Sequence, residues 1–327
     1  MSKLDQYLQA STRDSTRRSY QSAIQHFEIE WGGFLPSTAD SVARYLADHA
    51  EKLSINTLRH RLAALAQWHI DQGFPDPTKA SVVRKVFRGI QTLHPIQEKR
   101  AKPFQIGQLK EVVDWLDQAI EQARNAGCHG DELRLTRNKA MLLLGFWRGF
   151  RGDELTRLYV EHVEIVPHEG MICYFPQTKG DRNLKGTHFK APMLSHLCPV
   201  SAYLDWIEMS GLTQGAAFRA INRWGHLSQH GLHADSFIPL LRSLFTDAGV
   251  NSPTLYSGHS LRRGFANWAS ASGWNLKMLM EYVGWKDIHS ALRYIDHPDS
   301  FSQQQIERSL AHEGHLLLPL VEYTQGK

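Results

Sequence analysis

Apolar residues recur at helical spacing through the first third of the chain, with breakers between the runs. Tyr20, Ile24, Phe27 and Trp31 predict a helix that Ser15-Thr16 could cap and that Gly32-Gly33 and Pro36 end. Ser37–Asp40 starts a second helix, with Val42, Tyr45 and Leu46 on one face. Ser54 caps a third, whose apolar positions are Ile55, Leu58, Leu62, Leu65, Trp68 and His69; Gly73, Pro75 and Pro77 stop it. A fourth, Lys79–Leu93, sets Val82, Val83, Phe87 and Ile90 against Arg84, Lys85 and Arg88. The stretch His94–Phe104 has two prolines and three cations, Lys99, Arg100 and Lys102, and breaks the periodicity. It reads as a basic linker, placed at 95–106, after a helical first domain at 1–94.

From Gly107 the pattern changes. Gln108–Ala126 is helical, and Leu133–Trp147 is apolar enough to be a buried helix. The run Arg148-Gly149-Phe150-Arg151-Gly152 breaks it, and Asp153-Glu154 opens the next helix with acids where the helix dipole favours them. Val163–Val166, Met171–Pro176 and His188–Met193 have strand character. Pro167–Gly170 joins the first pair, and Thr178–Thr187, carrying Lys179, Arg182 and Lys185, joins the second. Pro199–Ser210 and Ser236–Ala248 are helices flanking a loop, Gly211–His233. A helix at Ser300–Leu310 and an apolar tail, Leu316–Val321, follow the Ser257–Asp296 stretch; the tail is a candidate subunit contact. The expected class is mainly α with a small antiparallel sheet in the second domain, 107–327.

Composition narrows the picture. A length of 327 residues suits two domains. The net charge is only +4, but residues 1–106 carry 15 Lys and Arg against 10 Asp and Glu, while the remainder carries 22 against 23. The basic excess therefore lies in the first third, as a polyanion-gripping module requires. The helices bearing Arg59, Arg61, Arg84, Lys85 and Arg88 either read a major groove or are an ordinary charged exterior. Three scattered cysteines, Cys128, Cys173 and Cys198, suit a reducing compartment and exclude a disulfide scaffold. The N-terminus has no apolar core of a signal peptide, and no apolar run reaches membrane-spanning length. A cytoplasmic protein is expected.

Candidate chemistry concentrates in Ser257–Asp296. His259 and Arg262 stand as H-x-x-R, Trp285 follows Gly284, and Tyr294 lies nine positions beyond Trp285. Two cations, an indole donor and a phenol suit a phosphodiester. A tyrosine hydroxyl can attack phosphorus and form a covalent phosphotyrosine, dividing one hard step into two. Arginine matches the developing charge on the non-bridging oxygens with a rigid, always-charged fork. Tyr282 is a rival to Tyr294 as nucleophile, and Lys185 to Lys179 as the cation supplied by the second connection.

The order of these residues resembles the tyrosine recombinase (phage integrase) family. Arg151 in R-G-F-R-G-D-E-L is similar to that family's first catalytic arginine, and Glu154 to its supporting acid. Lys179 matches the hairpin lysine, and His259-x-x-Arg262 the H-x-x-R box. Trp285 stands at the second-histidine position, as in Cre-like members, and Tyr294 at the nucleophile position. The likeness covers roughly 107–310. It implies a DNA clamp of two domains and a site-specific recombinase that forms a 3′-phosphotyrosine without a metal, ATP or other cofactor. It also implies a homo-tetramer on paired inverted half-sites of double-stranded DNA, exchanging strands through a Holliday junction. A type IB topoisomerase-like activity and a DNA-binding regulator without catalysis are the alternatives. The target sequence and biological role are not legible.

Overall fold

Local capping chemistry accounts for where many of the helices begin. Thr38 accepts a hydrogen bond from Ser41 N–H (3.2 Å), Ser54 from Thr57 N–H (3.1 Å) and Asn275 from Met278 N–H (2.9 Å). Each satisfies one of the orphan donors that every helix start leaves. The computed structural model describes residues 3, 6–7, 11–95, 101–178 and 185–295. They divide into two compact units, Met1–Lys99 and Arg100–Lys327.

The first unit contains α1 (Asp14–Gln25), α2 (Ala39–Asp48), α3 (Ile55–Asp71) and α4 (Ser81–Leu93). The α1 segment does not run on as one α-helix to Trp31, as its periodicity predicted; His26–Glu30 is a π-helical turn. The core is Phe27, Val42, Tyr45, Leu46, Leu58, Leu65, Val83 and Ile90. The 3.6-residue spacing selects these residues, and with them Val82, which is instead 42% exposed. Tyr45 is at its centre, 5.0 Å from the Phe27 ring and 5.3 Å from that of Trp31. Its hydroxyl is 2.9 Å from His26 Nδ1, and burial pushes its pKa up to about 12.

The second unit contains α5 (Ile106–Asn125), α6 (His129–Trp147), α7 (Gly152–Thr156), α8 (Pro199–Ser210), α9 (Phe237–Asp247), α10 (Ser260–Ala271), α11 (Leu276–Val283) and α12 (Ile288–Leu292). Buried α6 packs against α5, α8 and α10. Close approach is possible because Gly145 has no Cβ; one would come within 2.8 Å of Leu261 Cδ1 on α10. Strands β1 (Val163–Val166), β2 (Gly170–Phe175) and β3 (Thr187–Pro192) form an antiparallel sheet in sequence order. Phe175 pairs with Thr187, so 176–186 is the β2–β3 connection.

Two sequence expectations need correction here. The loop expected at Gly211–His233 contains a further hairpin, β4 (Arg219–Ile221) with β5 (Leu227–Gly231). The second half of the expected linker is docked: Lys102 N–H bonds Leu255 carbonyl (3.3 Å), Phe104 N–H bonds Ser260 carbonyl (3.0 Å), and Arg263 Nη1 donates to Ala101 carbonyl (2.9 Å). Phe104 is fully buried and stacked on Phe245 at 4.3 Å. No helix among the described residues is long and apolar enough to cross a membrane. The tail Leu316–Val321 and the Ser300–Leu310 helix lie outside the described residues.

Candidate active site

Three chain segments supply the described part of the site. The first is the break between α6 and α7. Gly149 adopts φ +58°, which turns the chain so that Arg151 precedes α7. Arg151 gives its backbone N–H to Glu154 Oε2 (2.8 Å) and its Nη1 to Glu154 Oε1 (2.7 Å). The Glu154 side chain is 3% exposed and that of Arg151 29%, so the acid is buried and the guanidinium reaches outward from it.

The second segment is the start of α10. His259 precedes its first turn, exposed, and Arg262 lies inside, 3% exposed. Arg262 Nη2 donates to Val283 carbonyl (3.3 Å), while its Nε and Nη1 are buried without a hydrogen-bond partner. Burial pushes its pKa down to about 10, with Glu154 and the neighbouring Tyr294 phenol opposing that shift and Arg151 adding to it. It is therefore still a cation at neutral pH.

The third segment runs from the end of α11 to the turn after α12. Gly284 takes the left-handed φ +78° that ends α11, and its N–H and that of Trp285 both return to Met280 carbonyl at 2.9 Å. Trp285 is then turned inward at 7% exposure, with its Nε1–H unpartnered. Asp287 caps α12 by accepting from Ser290 N–H (2.8 Å). Tyr294 stands in the turn after α12.

These segments meet at Tyr294. Its hydroxyl is 2.9 Å from His259 Nδ1, its ring stacks on Trp285 at 5.1 Å, and the Arg262 guanidinium is 5.8 Å from the ring centre. Tyr282, the rival phenol, stacks on Phe265 at 5.2 Å and meets Trp274 edge-on at 5.2 Å, as a packing residue. Buried donors are normally satisfied, and leaving one unmade costs about 1–3 kcal/mol. Three such donors, on Arg262 and Trp285, belong to the two residues packed against the Tyr294 ring. Unpartnered donors of this kind can bind an anionic oxygen, and a phenol hydrogen-bonded to an imidazole can lose its proton to it.

The remaining sequence candidates distribute unevenly. Lys179, Lys99 and Arg100 lie outside the described residues. Lys185 is exposed at the foot of β3, and Lys102 is exposed with its Nζ 5.4 Å from the Tyr256 ring centre. Arg59, Arg84, Lys85 and Arg88 are exposed on α3 and α4, with Arg59 giving Nη1 to Asn56 (2.7 Å). Arg61 departs from the expectation of a groove-reading side chain: its Nε and Nη1 are buried, and its charge opposes the rise that burial gives the Tyr45 phenol. Sequence reading missed Arg148, 3% exposed beside the site, because a cation in a chain break looks like a surface residue.

Comparison with known proteins places the chain in a family and its fold among known folds. A protein-family model, described as the phage integrase family, matches residues 115–300. An integrase/recombinase xerD homolog of Selenomonas ruminantium is 26% identical over 311 residues, 92% of this chain and 87% of that protein. The recombinase cre of Escherichia phage P1 is 24% identical over 282 residues, covering 82% and 78%. The fold is similar to that of XerH site-specific recombinase bound to palindromic difH substrate, with a TM-score of 0.59 at 15% identity over 91% of this chain and 79% of that one. It is similar also to the Tn1549 transposon integrase in complex with transposon right end DNA, at 0.58 and 14% over 92% and 95%.

Proposed function

The chain belongs to the phage integrase family and is a site-specific tyrosine recombinase, and from that premise we propose that Tyr294 is the nucleophile of a site completed by Arg151, Lys179, His259, Arg262 and Trp285. The Tyr294 oxygen attacks the scissile phosphorus. Its bond to phosphorus forms as the bond to the 5′ oxygen breaks, leaving a 3′-phosphotyrosine and a free 5′ hydroxyl. A phenol ionises near pH ~10, so its proton must leave during attack; His259, with Nδ1 unprotonated, takes it across the 2.9 Å contact. Lys179 gives a proton to the departing 5′ oxygen.

Arg151 and Arg262 hold the non-bridging oxygens, and Trp285 donates one hydrogen bond without titrating. Each such preorganised donor is worth about 3–4 kcal/mol in transition-state stabilisation. Glu154 keeps Arg151 aimed. Rejoining reverses the step with a 5′ hydroxyl from the partner strand. Strand exchange proceeds through a Holliday junction in a tetramer assembled on paired inverted half-sites. The two units clamp the duplex, with Arg59, Arg84, Lys85, Arg88, Lys99, Arg100 and Lys102 on its backbone.

The observation that carries this reading is the hydrogen-bonded Tyr294–His259 pair facing the unpartnered donors of Arg262 and Trp285. The test is covalent trapping. The full chain selects a half-site from a random-sequence DNA pool, and a nicked duplex built on that site traps the cleaved strand. Wild type is expected to form a protein–DNA adduct that survives SDS, and Tyr294→Phe none. An adduct formed by Tyr294→Phe at the wild-type rate overturns the nucleophile assignment.

A further inference from the structure

Arg148 is the last residue before Gly149 and is as buried as Arg262, yet it is three residues short of Arg151 and has no part in the mechanism above. Its guanidinium lies 3.9 Å from the centre of the Tyr282 ring and 5.2 Å from that of Phe189 on β3. It donates Nη2 to Tyr282 carbonyl, and its Nε is buried without a partner. Among the described residues it pairs with no carboxylate.

Arg262 donates to Val283 carbonyl, the next along the chain. Two buried arginines from different elements thus take adjacent carbonyls at the end of one helix. That end carries the negative pole of the α11 dipole and its unsatisfied acceptors, which is where cations are favoured. The helix does not need either cation to stop, because Gly284 already closes it through Met280. Gly284 in turn presses on Phe189: a Cβ there would lie 2.9 Å from Phe189 Cε1. Arg148, Tyr282, Phe189 and Gly284 therefore form one stack immediately before Trp285.

We propose that Arg148 is a positioning residue for the phosphate site, fixing the C-terminal carbonyls of α11 so that Val283 holds Arg262 and Trp285 stays against Tyr294. It touches none of the reacting atoms. A buried, incompletely bonded cation is a costly way to fill space, and Met could occupy the same stack without that cost. What Met cannot do is hold the Tyr282 carbonyl. The inference rests on the reading of Arg262 as a phosphate-holding group.

The test compares Arg148→Met and Arg148→Lys with wild type and Arg262→Ala on two nicked duplexes. One carries an ordinary scissile phosphate and the other a neutral methylphosphonate at that position. Removing the charged oxygen removes the need for well-placed cations, so a variant that misplaces Arg262 recovers on the neutral linkage. Arg148→Met is expected to cleave the phosphate about 10- to 100-fold more slowly than wild type, a loss of about 1.4 to 2.8 kcal/mol, and the methylphosphonate within about threefold. Its melting temperature should stay within a few degrees of wild type. Arg148→Lys, which keeps the donor but not the planar stack, should fall between and serves alone should the Met variant fail to fold. Equal losses on both linkages, or no loss on the phosphate, would overturn the positioning role. If instead Arg262→Ala loses equally on both linkages, the reading of Arg262 fails, separately from that of Arg148.

Discussion

Gly264 on α10 is the position at which the smallest change should do most damage. A Cβ built there lies 1.8 Å from the Phe104 carbonyl oxygen and 3.1 Å from Phe146 Cε2. A normal carbon–oxygen contact is about 3.3 Å, so Gly264→Ala must part α10 from the 101–105 segment by more than an ångström. That separation breaks the Phe104 N–H bond to Ser260 carbonyl and lifts fully buried Phe104 off Phe245. The lost hydrogen bond contributes about 0.5–1.5 kcal/mol and overpacking about 1–3 kcal/mol. A destabilisation of about 2–4 kcal/mol follows. The control is Gly107→Ala on α5, where an added Cβ meets nothing within 4 Å. There alanine should be neutral or stabilise by up to about 1 kcal/mol, since glycine is a poor helix former. Urea unfolding of both variants, followed by circular dichroism, gives the two values. Because α10 also carries Arg262 and begins directly after His259, Gly264→Ala should lose cleavage as well. A Gly264→Ala protein within about 0.5 kcal/mol of wild type would refute the contact.

Other outcomes follow from the site and the core. Glu154→Gln leaves the Arg151 guanidinium without its carboxylate; breaking a buried pair costs about 3–5 kcal/mol, and partial exposure of Arg151 sets the expected loss at the lower end, with a fall in cleavage that unfolding and trapping assays read separately. Arg262→Met should abolish cleavage while leaving the free protein as stable or more stable at pH 7 by thermal denaturation. The sign comes from burial: its folded-state pKa is depressed to about 10, so the cost of burying the cation is present in full below that pH and fades as pH rises past it. A marked drop in stability for Arg262→Met at pH 7 would contradict this. At pH 8 a thiol reagent should label exposed Cys128 at once and Cys173 only after unfolding, because burial pushes the Cys173 thiol up to about 12; labelling of both at one rate in the native protein, read by peptide mass spectrometry, would show that Cys173 is accessible.

Much of this was legible in the sequence, for a definite reason. Helices that bury one stripe announce it by period, and Val42, Tyr45, Leu46, Leu58 and Leu65 all fall in the first core as their spacing requires. Capping residues such as Ser54 gave helix starts to within a residue or two. What escaped depends on partners distant in the chain. The strands Arg219–Ile221 and Leu227–Gly231 are short, lack alternation and exist because they pair with each other. Arg61 and Arg148 look like surface cations until Tyr45, or Tyr282 and Phe189, arrive from other elements to cover them. Gly264 reads as a weak point in a helix; only the fold brings the Phe104 carbonyl against it. The contact between Tyr294 and His259, thirty-five positions apart, likewise exists only in the fold, where α12 ends at Leu292 and the phenol turns towards the imidazole.

The uneven distribution of charge partners explains why these residues form a site and not a stabilising cluster. Three arginines meet within the second unit, but only Arg151 has a carboxylate, Glu154. Arg148 and Arg262 are satisfied in part by the carbonyls of Tyr282 and Val283, which are dipoles and do not cancel a charge. The interior is therefore left electropositive, and the free protein carries the desolvation cost of that charge. A scissile phosphate brings one negative charge, and its transition state concentrates more on the non-bridging oxygens. Under the proposed mechanism the electrostatic deficit is best met by the transition state, which is the condition for rate enhancement as opposed to tight ground-state binding. Adding a carboxylate beside Arg262, for example by Val283→Asp, should on this reasoning slow cleavage more than it weakens DNA binding, measured by trapping rate against gel-shift affinity. Loss of affinity with an unchanged rate would show that the unpaired charge serves binding alone.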